Sequence, residues 1–267
     1  MNPADDLLIR ILIFILGSIV GSFLNVCIVR MPQEKSIVFP GSHCVHCKKS
    51  ILWYDNIPLI SYFLLMGKCR YCHKKISIRY WIVELVTAVS FVFFYGFFGW
   101  NWVLIPYLVF HCGLLIATFV DLEHRIIPDE ISVGGMILGL IFSFFIPQLH
   151  NTSSHLLAMG WSLLGVLIGG GSIYAMGMLG DFLFKKESMG GGDVKLLAMV
   201  GSFLGWQMAV LTFFVAPFFG AVFGIIVKLR TKESMIPYGP FLALGALISL
   251  FWGEGLIRWI LSNYGFG

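Results

Sequence analysis

The chain has 267 residues, of which 58% are hydrophobic and 12% are charged, and its formal net charge is +4. Soluble domains carry roughly 45–50% apolar and about 25% charged residues, so this composition excludes an ordinary soluble enzyme. It indicates a polytopic membrane protein, in which length gives no count of domains.

The apolar residues form long stretches, at 7–29, 80–98, 102–120, 131–147, 156–182, 196–227 and 240–262. Most are close to the ~20 residues that cross a bilayer as a helix. The stretch 196–227 would span about 48 Å as one helix, which is long for one crossing and short for two. Lysines at both of its ends favour an even number of crossings. We therefore predict two short helices, 194–205 and 207–227, with a re-entrant hairpin as the alternative.

The predicted fold is an all-α polytopic membrane protein with about eight transmembrane helices. Small-residue spacings such as Gly17-x-x-x-Gly21, Gly165-x-x-x-Gly169 and Gly201-x-x-x-Gly205 recur along these helices. Such spacings let helix backbones approach closely, so we interpret them as packing contacts.

The basic residues indicate the orientation of the chain. In the eight-helix arrangement, 16 of the 18 lysines and arginines fall in the loops 30–79, 121–130, 183–195 and 228–239, all on one side. The positive-inside rule makes that side cytoplasmic and places both termini outside.

The loop 30–79 is the one sizeable soluble segment, and it contains two Cys-x-x-Cys pairs separated by 21 residues: Cys44, Cys47, Cys69 and Cys72. Four thiolates at this spacing are typical of a structural tetrahedral Zn²⁺ site. Because the loop is predicted to be cytoplasmic, disulfides are disfavoured. Iron and a redox dithiol pair are the alternatives.

The first acidic loop follows the apolar run that ends at Val120. Asp121 lies at the carboxyl end of its predicted helix, where the helix dipole disfavours a negative charge, so capping does not explain it. Asp129 and Glu130 follow Pro128 at a predicted helix start, where acids are stabilising. Asp121 is therefore the functional candidate of this loop.

The second candidate is Asp193, which follows three glycines in GGGDVK (Gly190–Lys195). An Asp between glycines and a helix is a good N-cap, which is the competing interpretation. Three glycines exceed what a cap needs, and they permit close backbone approach to a substrate or to a neighbouring helix. Two carboxylates that approach each other could share one proton and activate a water.

Taken together, the motifs resemble those of type IV prepilin peptidases, which are polytopic aspartic proteases of the bacterial inner membrane. The matching stretches run through the chain in family order: GSFLNVCIVRMP (Gly21–Pro32), HCVHC with DNIPLISYFLLMGKCRYC (within His43–Cys72), ISIRYWIVE (Ile76–Glu84), DLEHRIIPD (Asp121–Asp129), GGGDVKLLAMVG (Gly190–Gly201) and IPYGPFLALG (Ile236–Gly245). Two positions depart from the family pattern: Trp81 stands where proline is common, and the second motif is all-glycine before its acid.

The resemblance implies that Asp121 and Asp193 are the catalytic aspartates and that Cys44, Cys47, Cys69 and Cys72 bind a structural Zn²⁺. It implies three segments: a first transmembrane helix (1–29), a cytoplasmic zinc domain (30–79) and a transmembrane peptidase domain (80–267).

The implied partners are a prepilin or pseudopilin substrate and the lipid bilayer, with no nucleic acid, and the oligomeric state stays open. The implied reaction is cleavage after a glycine at the cytoplasmic membrane face. Methylation of the new N-terminus by S-adenosylmethionine is also implied, although no residue pattern independently marks a binding site for it. The alternatives are a peptidase without methylation, a cation- or proton-coupled transporter that uses the same acids, and a zinc-loop scaffold.

Overall fold

The structure is a computed structural model that describes residues 3–185, 189–231 and 237–263. Outside these residues lie two of the basic residues used to predict the orientation, Lys186 and Lys232, and the first residue of the last family motif, Ile236. Nine helices follow one another in the described ranges: α1 (Pro3–Arg30), α2 (Ile60–Leu64), α3 (Ile78–Phe98), α4 (Leu104–His124), α5 (Asp129–Phe145), α6 (His155–Phe184), α7 (Gly191–Leu204), α8 (Trp206–Thr231) and α9 (Gly239–Asn263). The predicted all-α class is confirmed.

Local sequence explains several of these boundaries. Ser77 caps α3 by accepting a hydrogen bond from the Arg79 N–H, and Ser154 caps α6 by accepting one from the Leu157 N–H. Such hydroxyls satisfy backbone donors that have no partner inside the helix. Gly205, at φ +79°, ends α7 before α8 begins. The predicted break at this glycine is confirmed.

Six of the described helices are long and apolar enough to cross a membrane: α1, α3, α4, α6, α8 and α9. The helices α5 and α7 have 17 and 14 residues. Fourteen residues rise about 21 Å, which is short of the ~30 Å hydrocarbon core. The predicted count of eight crossings is therefore not confirmed, because apolar length did not distinguish a crossing from a short helix buried among others.

The chain divides into two compact units, Met1–Ile116 and Ala117–Gly267. In the first unit, α1 packs along α3 through its small residues. A Cβ on Gly17 would lie 2.8 Å from the Ala88 Cα, and one on Gly21 would lie 2.7 Å from the Glu84 Cα. Real side chains do not tolerate such distances, so glycine sets this helix contact.

The second unit is built around α7, which contacts α5, α6, α8 and α9. Every residue from Leu196 to Phe203 is buried. The helices α6 and α7 cross where Gly165 faces Gly201, so closely that a Cβ on either would meet the carbonyl group of the other. Because α7 is enclosed by packed helices, its first turn, which carries Asp193, has a fixed position.

Candidate active site

Asp121 lies in the last turn of α4, as the sequence predicted. The turn is closed by a hydrogen bond from the Arg125 N–H to the Asp121 carbonyl, with Arg125 in the left-handed region at φ 57°. The aspartate is buried, with 6% of its surface exposed. A buried carboxylate needs hydrogen-bond donors, and the donor here comes from a distant part of the chain.

That donor is the backbone N–H of Gly239, which lies 2.8 Å from the Asp121 Oδ2. Gly239 is the first residue of α9, whose free N–H groups favour an anion. A Cβ at this position would lie 2.8 Å from the same Oδ2 and 3.2 Å from the Asp121 Cβ and Cγ. Only glycine allows the backbone to come so near to the carboxylate.

Asp193 lies at the third position of α7, and the N-cap is Gly190. The N-cap interpretation of Asp193 was therefore wrong, because α7 begins at Gly191, three residues before the predicted start at 194. Its carboxylate instead accepts a hydrogen bond from the Gly190 backbone. This contact resembles the reciprocal half of a capping box, in which the third helical residue reaches back to the N-cap.

The three glycines before Asp193 have different surroundings. A Cβ on Gly190 would lie 3.3 Å from the Asp193 Oδ2, and one on Gly192 would lie 3.1 Å from the Ile127 Cβ, whereas one on Gly191 would meet nothing within 4 Å. Ile127 belongs to the loop that follows Asp121. Close approach, predicted from the triple glycine, therefore applies at Gly192.

The two aspartates influence each other electrostatically. Burial, and secondly the negative charge of Asp121, raise the pKa of Asp193 to about 6 from its ordinary 3.8. A raised pKa caused by burial and a neighbouring acid is typical of a carboxyl group that stays protonated when its neighbour is ionised. Asp193 therefore stays protonated to a higher pH than an isolated aspartate does, and the charge of Asp121 is part of the cause.

Tyr238 was not singled out from the sequence, although it precedes Gly239 in the stretch IPYGPFLALG. Its phenol oxygen is buried and has no hydrogen-bond partner in the described part of the chain. Burial, and secondly the negative charge of Asp193, raise the pKa of Tyr238 to about 12. The Gly-Pro pair at a helix start was the one sequence signal that could have marked Tyr238 and Gly239.

The other acids of the first loop, Glu123, Asp129 and Glu130, are exposed. Asp129 begins α5 as predicted, and both of its carboxylate oxygens bind the Lys195 Nζ, at 2.7 and 2.8 Å. This ion pair connects the first turns of α5 and α7. Since both side chains are largely exposed, its contribution to stability is small.

The four cysteines of the first unit come together. Their sulfurs all lie within 4.8 Å of one another, with Cys44 and Cys72 at 3.8 Å and Cys47 and Cys69 at 4.0 Å. Four thiolates bound tetrahedrally at about 2.3 Å from a zinc ion would be separated by about 3.8 Å. The donor set and its spacing fit Zn²⁺.

The two cysteine pairs have the same backbone pattern. Lys48 donates to the Cys44 carbonyl and His73 to the Cys69 carbonyl, and both donors have positive φ, at 61° and 55°. Backbone N–H groups also lower the pKa of the Cys69 thiol to about 6, chiefly those of Cys72 and Tyr71. These N–H groups thus favour the thiolate of Cys69, and the thiolate is the form that binds metal.

Two family models match most of the chain. Residues 15–98 match the family model described as Bacterial Peptidase A24 N-terminal domain, and residues 108–225 match the one described as Type IV leader peptidase family. No solved structure matched the chain.

Several relatives carry the name prepilin leader peptidase/N-methyltransferase. The one from Pseudomonas aeruginosa is 34% identical over 94% of this chain and 93% of its own length, and the one from Aeromonas hydrophila is 32% identical over 95% and 94%. The one from Myxococcus xanthus is 39% identical over 85% of this chain but 65% of its own length. The chain therefore belongs to the type IV leader peptidase family.

Proposed function

We propose that this protein removes the leader peptide of type IV prepilins or pseudopilins, cutting after a glycine, and then methylates the new N-terminus with S-adenosylmethionine. Family membership and the names of the relatives support both activities. The observation that carries the peptidase assignment is the pair Asp121 and Asp193. They come from separate motifs, lie in one compact unit and are coupled through their charges.

In the proposed mechanism, Asp121 is ionised and accepts a proton from a bound water, whose oxygen attacks the scissile carbonyl carbon. Asp193 is protonated and donates a hydrogen bond to the carbonyl oxygen. We assign the shared proton to Asp193, because the Gly239 N–H stabilises the ionised form of Asp121 and the charge of Asp121 disfavours ionisation of Asp193. Exclusion of water by a bound substrate would raise the pKa of Asp193 further, since burial disfavours the charged form.

The backbone N–H of Gly239 would keep Asp121 in position while the water reacts. It occupies one carboxylate oxygen, Oδ2, and leaves Oδ1 for the water. Catalysis depends strongly on such placement, since a displacement of about 1 Å can cost about 100-fold in rate.

We place this site at the cytoplasmic membrane face of a multi-pass inner-membrane protein with up to eight crossings. The six apolar helices and the basic loops support that arrangement. The segment 30–79 would form a zinc-binding domain outside the membrane. A closed four-sulfur shell leaves no open coordination position, so the zinc would be structural and would not act in cleavage.

Cleavage in proteoliposomes tests the peptidase. Wild-type protein should shorten a full-length prepilin, whereas Asp121→Asn and Asp193→Asn should insert normally and leave the substrate intact, as judged by mass spectrometry. Asp129→Asn is the matched control, since that acid is exposed and should be dispensable. Retained cleavage in either dyad variant would contradict the assignment, and proton or cation uptake without cleavage would favour a transporter.

Methylation needs a separate measurement. The N-terminus released by the wild-type protein should gain the mass of one methylene group only when S-adenosylmethionine is present. An unchanged mass under both conditions would leave a peptidase without the second activity.

A further inference from the structure

The helices α1 and α3 carry a polar cluster between their apolar faces. It consists of Ser22 and Asn25 on α1 and of Trp81 and Glu84 on α3, each pair three residues apart and hence on one helix face. The two helices are in direct contact here, since a Cβ on Gly21 would lie 2.7 Å from the Glu84 Cα. All four residues lie within one compact unit, separate from the one that carries the aspartate pair.

Glu84 is partly buried, and its hydrogen-bond donors among the described residues are neutral. The Leu59 N–H lies 2.8 Å from its Oε2, and the Ser22 hydroxyl hydrogen-bonds the same side chain. No ion pair to Glu84 is found in the described ranges. An acid among apolar helices without a cation is costly and is a functional candidate.

Two further polar atoms of the cluster have no hydrogen-bond partner in the part of the chain that the structure describes. Asn25 is 2% exposed, and its Nδ2 donates to the Tyr80 carbonyl at 2.9 Å and to the Gly21 carbonyl at 3.3 Å, but its Oδ1 accepts nothing in the described residues. The Trp81 Nε1 is likewise buried without an acceptor there. Buried polar atoms are nearly always hydrogen-bonded, so both atoms are available to a bound ligand.

Leu59 adds an indication of strain at the same place. It has φ 64° and ψ −46°, a conformation that a side chain rarely adopts, and it thereby directs its N–H at Glu84. Such backbone strain costs of order 1–3 kcal/mol and is concentrated at functional sites. The residue follows Pro58 in the loop that also contains the cysteine cluster.

We propose that Asn25, Trp81 and Glu84 bind the α-amino group, with its adjacent carbonyl or carboxylate oxygen, of a ligand in the methyl-transfer reaction. Glu84 and the Asn25 Oδ1 are acceptors for an ammonium group, and the Trp81 Nε1 is a donor for the neighbouring oxygen. Two ligands of this reaction carry that chemistry: the methionyl part of S-adenosylmethionine and the N-terminal residue of the cleaved pilin. The inference rests on the proposed methyltransferase activity.

Equilibrium dialysis of the purified full-length protein tests the first source. S-adenosylmethionine is compared with methylthioadenosine, which lacks the amino-acid group. If the site holds the methyl donor, Glu84→Gln should weaken binding of S-adenosylmethionine at least about tenfold, the effect of losing a hydrogen bond to a charged group, and leave methylthioadenosine unaffected.

The second source has a different signature. If the site holds the pilin N-terminus, binding of both adenosyl compounds stays normal, and the KM for methylation of a pre-cleaved pilin peptide rises at least about tenfold in Glu84→Gln. Asn25→Ala should act in the same direction in either case. Either signature supports the proposal.

Asp55→Asn is the matched control. Asp55 is an acid of the same loop that forms an ion pair with Arg70, at 2.7 Å between the Arg70 Nε and the Asp55 Oδ2, and it is not part of the cluster. A merely structural role of Glu84 would make its variant lose zinc and both adenosyl compounds together, which overturns the proposal. Normal binding and normal KM in Glu84→Gln overturn it as well. If the wild-type protein cleaves prepilin but never methylates it, both the methyltransferase assignment and the proposed ligand site are overturned.

Discussion

Replacement of Asp193 by asparagine should make the protein more stable at neutral pH, although it removes a proposed catalytic group. The cause is the pKa of Asp193, which is raised to about 6 from 3.8 by burial and by Asp121. The unfolded chain ionises this residue near its ordinary pKa, whereas the folded chain resists ionisation up to about pH 6. Folding therefore loses stability as the pH rises between these two values, and the loss is complete above about pH 6.

The magnitude follows from the size of the shift. A difference of about two pKa units corresponds to about 3 kcal/mol at 1.36 kcal/mol per unit. Asparagine does not titrate, and its side-chain oxygen can still accept the hydrogen bond from the Gly190 backbone. For a chain of this size, about 3 kcal/mol moves Tm by about 6–12 °C.

Thermal unfolding of the purified protein in detergent, followed by tryptophan fluorescence at one scan rate, measures this effect. Asp193→Asn should raise Tm at about pH 7.5 and have little effect at about pH 4, where the aspartate is protonated in the folded state. Asp129→Asn is the control and should leave Tm unchanged or slightly lower, since it removes an exposed ion pair. A variant no more stable than wild type at pH 7.5, or equally stabilised at both pH values, would show that ionisation of Asp193 does not destabilise the folded protein.

Three further outcomes are expected. Gly239→Ala should lower prepilin cleavage about 100-fold, because its Cβ would displace the Asp121 carboxylate, whereas Gly191→Ala, which meets nothing, should cleave normally. Purified protein should contain about one zinc ion per chain by elemental analysis, and a chelator should remove it and expose the loop 30–79 to limited proteolysis; zinc-free protein with an unchanged digestion pattern would contradict the structural role. Gly201→Ala should destabilise the protein by about 3 kcal/mol or more in thermal unfolding, because its Cβ meets backbone atoms of α6, while Gly160→Ala in open space should not.

Much of the candidate site follows from local sequence. Asp121 could be placed at a helix end because the apolar run stops at Val120, and a break near Gly205 could be predicted because the stretch 196–227 is long for one crossing and has lysines at both ends. The cysteine cluster followed from two short spacings, since a Cys-x-x-Cys turn brings its own two sulfurs together.

The sequence did not predict how these parts meet. Gly239 is 118 positions from Asp121 along the chain, and no local pattern indicates that its N–H is the hydrogen-bond donor of that carboxylate. The position of Asp193 as the third residue of α7 was also not predicted. All three glycines were expected to precede the helix, whereas Gly191 and Gly192 belong to its first turn. Both features depend on where helices pack, which propensity does not determine.

Composition and motif spacing were enough to predict an all-helical membrane protein with two acidic motifs and a four-cysteine loop. Each of these properties depends on a local stretch of the chain: the length of an apolar run, the charges of a loop, or the spacing of a few cysteines. Packing of the helices was needed to show that α7 is a short buried helix and that the Gly239 N–H donates to Asp121. It was also needed to show that the charge of Asp121 raises the pKa of Asp193 and that the charge of Asp193 raises the pKa of Tyr238. These features depend on segments that are distant along the chain, and at Gly239 the close approach to Asp121 is possible because glycine has no Cβ.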